Sequence, residues 1–320
     1  MGLKSRLKSI LEASPFLFVC SLPLRRLYTW LRYTIWPDRW IIRRKFKRLV
    51  GYTPDLDHPK TFQEKLQWLK LHDRNPLYHQ CADKLRVRQF VTRVTGTSKY
   101  LTPLYFLTDD WREVRPENFP RDLPFVLKCN HGNGNVHLVG NPAEADWTAL
   151  RFAMRREMAF RNGLWNSNRE WCYRGIRPRI MAEGLIQTPE GTVEEYKYYF
   201  CCGHLVVIQY GQADMQLTRR FRYLAPDYTL YPTSYMLGGD EEYVDSVKLP
   251  VNSREMLELA TRLAQEFPYH VRIDLLSNGR ECFINEITFF TLAGYIDVLE
   301  PASLAEELAR TLVLPTDRKG

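Results

Sequence analysis

The sequence predicts an α+β layered fold, with groups of antiparallel strands and helices set between them. Three observations carry this. Short runs rich in Val, Ile, Tyr and Phe come in consecutive groups at residues 125–139, 179–211 and 272–290. Segments with helical periodicity separate the groups, at 61–95, 143–160 and 253–267. Turn signals join neighbouring strands, Asn278-Gly279 above all. The 320 residues suffice for about two or three domains and a sizeable core. With 45% hydrophobic and 13% aromatic residues the chain is globular, not disordered.

Residues 1–50 form a basic arm. They hold twelve Lys/Arg against Glu12 and Asp38, a charge of +10 in a chain of +8, so residues 51–320 are slightly acidic. Tyr28, Trp30, Tyr33, Trp36 and Trp40 interleave with Arg25, Arg26, Arg32 and Arg39. That pattern suits a helix lying on an anionic membrane surface. A helical arm packing its aromatics on the body is the second reading, and nucleic-acid contact a distant third. Residues 15–24 are too short to span a membrane, and no small-x-small cleavage site follows them. Seven scattered cysteines without CxxC or Cys/His spacing point to reduced thiols in the cytosol. The expected location is cytoplasmic, peripheral on the inner face of the cell membrane.

Residues 51–57, with Pro54 and Asp55, read as a linker. Thr61-Phe62-Gln63-Glu64 is a capping box opening a helix through His72. A second helix is expected over 77–95, with Asp83-Lys84 at its middle and Gly96 at its end. A short strand near 100–107 and a loop at 119–124 follow. Residues 125–129 make a buried strand that enters the loop Asn130-His131-Gly132-Asn133-Gly134-Asn135, and 136–139 make the strand that leaves it. An amphipathic helix covers 143–160. Strands are expected at 179–186, 194–202 and 205–211. A helix capped by Ser253 covers 253–267, and another closes the fold at 302–312.

The hairpin of residues 272–290 places one carboxylate, Asp274 or Glu286, in each apolar strand. Buried carboxylates need a compensating cation or donor. Two of them converging from neighbouring strands make a cradle for Mg²⁺ and phosphate oxygens. A two-residue Asn278-Gly279 turn would point them to opposite faces, whereas a three- or five-residue loop, or a bulge, would bring them to one. The plain alternative is an Arg272–Asp274 surface pair with Glu286 at an edge.

Lys128 ends a buried strand just before Gly132 and Gly134, an arrangement for phosphate. Its spacing is neither Walker A nor GxGxxG, and a plain hairpin with a snorkelling lysine is the alternative. His131 reads as structural. Glu183, deep in an apolar strand before Gly184-Leu185, offers a strand end matched to the edge of adenine. Glu195 and Lys197 share one strand face, placed for a ribose and a phosphate. Arg219, Arg220 and Arg222 make a cluster able to neutralise a phosphoryl group or an acidic substrate, or else a solvated basic loop.

Taken in order, these features resemble the ATP-grasp superfamily, and more closely the ATP-grasp proteins of teichuronopeptide and related surface-polysaccharide biosynthesis. The matching blocks are Asp83-Lys84-x-x-Val87-Arg88, Val126-Leu127-Lys128-x-Asn130-His131-Gly132-x-Gly134, Glu170-Trp171-x-Tyr173, Pro178-Arg179-Ile180-x-x-Glu183, Tyr196-Lys197-x-x-Phe200 and Glu286-Ile287-Thr288-Phe289. The resemblance implies an ATP-grasp fold, two α+β subdomains gripping the nucleotide, with the basic helical extension 1–50 outside it. It divides the rest into a helical region 51–124, a lid subdomain 125–186 and a catalytic subdomain 187–320. It implies that Lys84 and Lys128 hold the ATP phosphates, and that Gly132 and Gly134 shape the lid loop. Glu183 and Leu185 would read adenine and Glu195 the ribose. Asp274 and Glu286 would ligate Mg²⁺, and Arg272 would steady an acyl phosphate, with Lys197, Arg219 and Arg220 as further catalytic cations. Three departures are visible. Thr288 stands where many members keep Asn, Asn133 replaces a small Ser, and Thr291-Leu292-Ala293-Gly294 lacks a Pro-containing turn.

The expected activity is therefore an ATP- and Mg²⁺-dependent carboxylate–amine ligase working through an acyl phosphate. Its acid is a glycan intermediate or an amino acid of cell-surface polysaccharide biosynthesis. A nucleotide-sugar glycosyltransferase, with Asp274 on the metal diphosphate, is the first alternative. A non-catalytic membrane-associated or nucleic-acid-binding protein is the second.

Overall fold

The computed structural model describes residues 15–132, 136–159, 163–213, 219–231, 242–243, 247–296 and 302–315. Two sheets organise it, antiparallel throughout except for one parallel strand pair at the edge of the larger. The smaller has the order β1-β4-β2-β3, from Leu104–Thr108 (β1), Phe125–Cys129 (β2), Val136–Val139 (β3) and Ile180–Gly184 (β4). Alternation decides its two faces. Phe125, Leu127, Ile180 and Ala182 pack with Phe119 and with Met154 of the helix α6 (Trp147–Ala159), numbered in chain order after the five helices described below. Val126, Lys128 and Glu183 line a cleft on the other face. The sheet takes in β1, which lies upstream of residue 125.

The larger sheet has the order β10-β9-β5-β6-β7-β8. Its strands are Val193–Cys201 (β5), His204–Ala213 (β6), Arg219–Leu224 (β7), Glu242–Tyr243 (β8), His270–Ser277 (β9) and Cys282–Thr288 (β10). Tyr196, Tyr198, Ile273 and Leu275 form its apolar face. They share one core with Met256, Leu259 and Leu263 of Ser253–Ala264 (α8) and with Leu304 and Leu308 of Ala302–Thr311 (α9). Arg219, Arg220 and Arg222 are strand residues, not a loop. Phe221 and Tyr223 alternate with the arginines and are buried, a period of two that outweighs the local charge.

The other helices are Pro15–Thr34 (α1), Asp38–Val50 (α2), Phe62–His72 (α3), Pro76–Ala82 (α4), Val87–Thr95 (α5) and Gly163–Asn168 (α7). The helix expected over 77–95 is two helices. Asp83 breaks it by turning extended and accepting from the Leu85 and Arg86 amides at 2.9 and 3.4 Å. A short acidic side chain competes in this way with the helix ladder. Lys84 therefore sits between helices, and the Asp83 carboxylate also accepts from Asn130 Nδ2 at 2.8 Å. Asn252, not Ser253, precedes the first residue of α8.

The capping box of α3 forms as expected. This helix also buries polar side chains that hold distant carbonyls. Lys65 donates to Leu312 O at 2.8 Å, and Gln67 donates to Ala293 O and Gly294 O at 3.0 and 2.7 Å. Lys70 reaches Ala293 O at 2.5 Å and Asn168 O at 2.9 Å.

The arm divides. In α2, Ile41, Ile42 and Phe46 are buried, and the Phe46 ring meets Tyr52 at 5.1 Å and Tyr295 at 6.4 Å. Gly51 ends this helix in the left-handed region at φ 95°. By contrast α1 leaves Leu24, Leu27, Tyr28, Trp30 and Leu31 exposed. Trp30 is 59% exposed, and Trp36 and Trp40, stacked at 4.3 Å, are 47% and 39% exposed. Packing on the body thus describes α2 and, through Phe18 against Phe152, the first turn of α1, while the tryptophans stay at the surface. No helix among the described residues is long and apolar enough to cross a membrane.

Candidate functional site

The hairpin of β9 and β10 positions the two acidic residues. Its connection has four residues, Asn278–Glu281, with Asn278 Oδ1 accepting from the Arg280 and Glu281 amides at 3.0 and 2.7 Å. Ser277 pairs with Cys282, and the register holds as far as Leu275 opposite Ile284. A bulge then absorbs Asn285, and Glu286 lies directly across from Asp274. Without the bulge this even-length loop would turn Glu286 to the apolar side. Two successive residues thereby reach the cleft, since Asn285 Nδ2 donates to Glu195 Oε1 at 2.5 Å. The next strand extends the row, with Lys197 opposite Asp274.

Charges in the cleft are paired with one another. Arg272 grips Asp274 with two bonds of 2.7 and 2.6 Å, donates to Thr288 Oγ1 at 3.1 Å and stands 3.7 Å from Glu286. Lys84 donates to the Gly132 carbonyl and lies 3.5 Å from Glu286. Lys197 meets Glu195 at 3.0 Å. Lys128 and Arg88 meet the two oxygens of Glu183 at 2.7 and 2.8 Å. Burial pushes all four carboxyls up. For Asp274 it prevails over Arg272 and Lys197 and raises the group to about 6. For Glu183 the pull of Lys128 prevails, for Glu195 that of Lys197 and for Glu286 that of Lys84, so these three lie below the usual range.

One cleft of about 740 Å³ between the two sheets gathers Lys84, Lys128, Glu183, Leu185, Glu195, Lys197, Arg220, Arg272, Asp274 and Glu286. Gly132 joins them through its bond to Lys84. Gly134 lies outside the described residues, as does the Arg219 side chain. The Arg272–Asp274 pair is buried in this cleft and not at the surface. Sequence reasoning assigned no site role to Lys45, Asn168 and Tyr295, nor to Glu170 beyond its place in a matching block, and all four line the same space. Lys45 had a signal: Ile41, Ile42, Lys45, Phe46 and Leu49 share one helical face, so this lysine falls on the packed side.

The family model described as TupA-like ATPgrasp matches residues 64–313. The chain belongs to the TupA-like ATP-grasp family. No curated protein matches this family member. Among solved structures it is similar to D-alanine–D-alanine ligase from Helicobacter pylori, at 17% identity and a TM-score of 0.40, over 74% of this chain and 59% of that one. It is also similar to the ATP-grasp ligase PsnB complexed with a precursor variant, Mg and ADP, at 12% identity and TM-score 0.41, over 78% and 65%. A third is D-alanine–D-alanine ligase from Bacillus anthracis complexed with ATP, at 15% and 0.35, over 66% and 54%. This TupA-like chain thus spans between 54% and 65% of the length of these structures.

The described residues hold no group of three or more His, Cys, Asp and Glu placed for a metal. Mg²⁺ needs fewer, because one or two carboxylates suffice when phosphate oxygens and water complete its shell. Asp274 and Glu286, hard oxygen donors on one face beside the Thr288 hydroxyl, fit that requirement.

Proposed function

We propose that this chain is an ATP- and Mg²⁺-dependent carboxylate–amine ligase. The observation that carries the reading is the bulged hairpin, which sets Asp274 beside Glu286 in a cleft that also holds Lys84, Lys128 and Arg272. Asp274 and Glu286 would hold Mg²⁺, which neutralises charge on the phosphates when bound. Lys84 and Lys128 would steady the phosphates, and Gly132 and Gly134 would shape the loop that covers them. Leu185 would pack the base. Glu183, held by Lys128 and Arg88 at 2.7 and 2.8 Å, would anchor Lys128 and keep lone pairs for the edge of adenine. Glu195 would accept from the ribose.

A substrate carboxylate oxygen would attack the γ-phosphorus, forming an acyl phosphate as the bond to ADP breaks. A deprotonated amine would then attack the acyl carbon and release inorganic phosphate, leaving an amide. Arg272, Lys197 and Arg220 stand where negative charge would accumulate, with Arg219 adjacent on β7. The resemblance to proteins of surface-polysaccharide assembly supports a glycan-linked acid or an amino acid as substrate. The exposed apolar residues of α1 support work at an anionic membrane surface.

Screening ADP release from Mg-ATP across carboxylates and amines tests the activity. The Asp274→Asn protein should stay folded and lose turnover by at least a hundredfold. Turnover close to wild type in that variant would remove the metal role.

A further inference from the structure

We propose that Lys45, carried by the arm helix α2, binds the carboxylate of the acid substrate, so that the arm builds one wall of the reaction cleft. This rests on the ligase reading above. Lys45 and Leu49, one helical turn apart, line the cleft that contains Lys84 and Arg272. Their position is held by the buried Ile41, Ile42 and Phe46, and by Asp38 lying 3.2 Å from Arg169.

Lys45 differs from the other cleft lysines and from Arg272 in its partners. Lys84, Lys128, Lys197 and Arg272 each meet a carboxylate within 3.5 Å. Lys45 donates instead to neutral oxygens, Ser167 O at 3.0 Å and Asn168 Oδ1. An ammonium has three N–H donors, so these bonds use two. Burial and the neighbouring Arg48 lower its pKa against the pull of Glu170, the mark of a cation short of compensating charge. A carboxylate entering here would supply that charge.

The surroundings suit a small polar acid. Tyr295 presents its ring 4.9 Å from the Lys45 ammonium, and Leu49 and Leu292 add apolar surface. Asn168 donates to Glu170 at 2.9 Å. The Glu170 carboxyl is within electrostatic reach of both Lys45 and Glu286, which ties this wall to the paired acids of the hairpin. A sugar ring or an amino-acid backbone matches this mixture of aromatic face, amide and carboxylate. Lys45 and Leu49 lie outside residues 64–313, so the arm adds this wall to a cleft whose other residues belong to the part of the chain that matches the family.

The experiment uses the full chain with Mg-ATP, hydroxylamine as a general amine, and four probe acids: D-glucuronate, D-galacturonate, L-glutamate and D-alanine. Acid-dependent ADP release gives KM for the acid, and calorimetry gives Kd for Mg-ATP. Lys45→Met should raise the acid KM at least tenfold while the ATP KM and Kd stay within twofold, and Lys45→Arg should restore most of the loss. The sugar acids and amino acids separate the two sources of the carboxylate. An acid KM unmoved by Lys45→Met overturns the proposal. So does wild-type protein that binds Mg-ATP but responds to none of the four acids. Failure of wild-type protein to bind Mg-ATP would instead overturn the ligase reading. If Lys45→Met melts early, Lys45→Gln and Asn168→Ala test the same wall, and an unchanged acid KM in both sinks the idea.

Discussion

Glu183 lies between two cations, and removing one of them separates ligand binding from folding. Lys128→Ala takes away the proposed phosphate contact but leaves Arg88 on the carboxylate at 2.8 Å, so no buried acid is stranded. Calorimetry should find Mg-ATP affinity reduced at least tenfold in a protein that still unfolds cooperatively. Unchanged affinity would end the phosphate role. His270 makes a second prediction at this scale. Its imidazole is fully buried between Phe200 O at 2.9 Å and Thr291 Oγ1 at 3.0 Å, and burial pulls its pKa down from 6.5 to about 3. Below pH 6.5 the unfolded chain takes up a proton that the folded chain refuses. The contribution is therefore complete above 6.5 and is lost as pH falls toward 3. Between pH 7.5 and 5.5 the wild type should lose about 1.4 kcal/mol relative to His270→Gln. Urea unfolding of both proteins at the two pH values measures this, and parallel losses would contradict it. Charged residues within apolar strands were legible as site candidates because burial makes them anomalous. Lys45 was overlooked because its one mark, a place on the apolar face of α2, is faint among twelve cationic residues.

At the scale of elements, local chemistry explains both the successes and the errors. The capping box of α3 and the place of the turn at Asn278-Gly279 were readable because each is settled by side chains within a few positions, although the loop has four residues and not the two, three or five expected. The bulge at Asn285 was readable only as an option, since strand pairing decides it. The split of residues 77–95 was hidden because Asp83 takes the Leu85 and Arg86 amides within a stretch whose pattern is helical on both sides, and Asn130, far along the chain, holds the same carboxylate. Helix α2 yields a prediction of its own. Phe46 is fully buried, so Phe46→Ala should cost about 3–5 kcal/mol, read as a lower midpoint in urea. Removing residues 1–37 should leave Mg-ATP binding intact, whereas removing 1–50 strips Ile41, Ile42 and Phe46 from the core and should leave a protein that unfolds early. Equal stability of the two truncations would show that α2 contributes little.

For the whole molecule the arm's two halves make separate predictions. If α1 lies on membranes, the full chain should sediment with vesicles rich in anionic lipid at low salt, and a chain lacking residues 1–37 should bind much less. Higher salt should weaken binding without abolishing it, because screening leaves the apolar contact in place. Full-length protein that stays in the supernatant at low salt would discard the membrane surface. The α+β layering was legible because patterning divides strands from helices, but the allotment of β4 to one sheet and of β5 and β6 to the other was not, and the shared cleft was legible only through the ordered resemblance of its blocks. Helix α3 carries one further consequence, for synthesis. Its lysines and Gln67 bind carbonyls at residues 293, 294 and 312, more than two hundred positions downstream. While the ribosome is still making those carbonyls, Lys65, Gln67 and Lys70 lack these partners. The nascent chain therefore completes this part of its core only once residue 312 has been made, with an early helix waiting on segments synthesised much later.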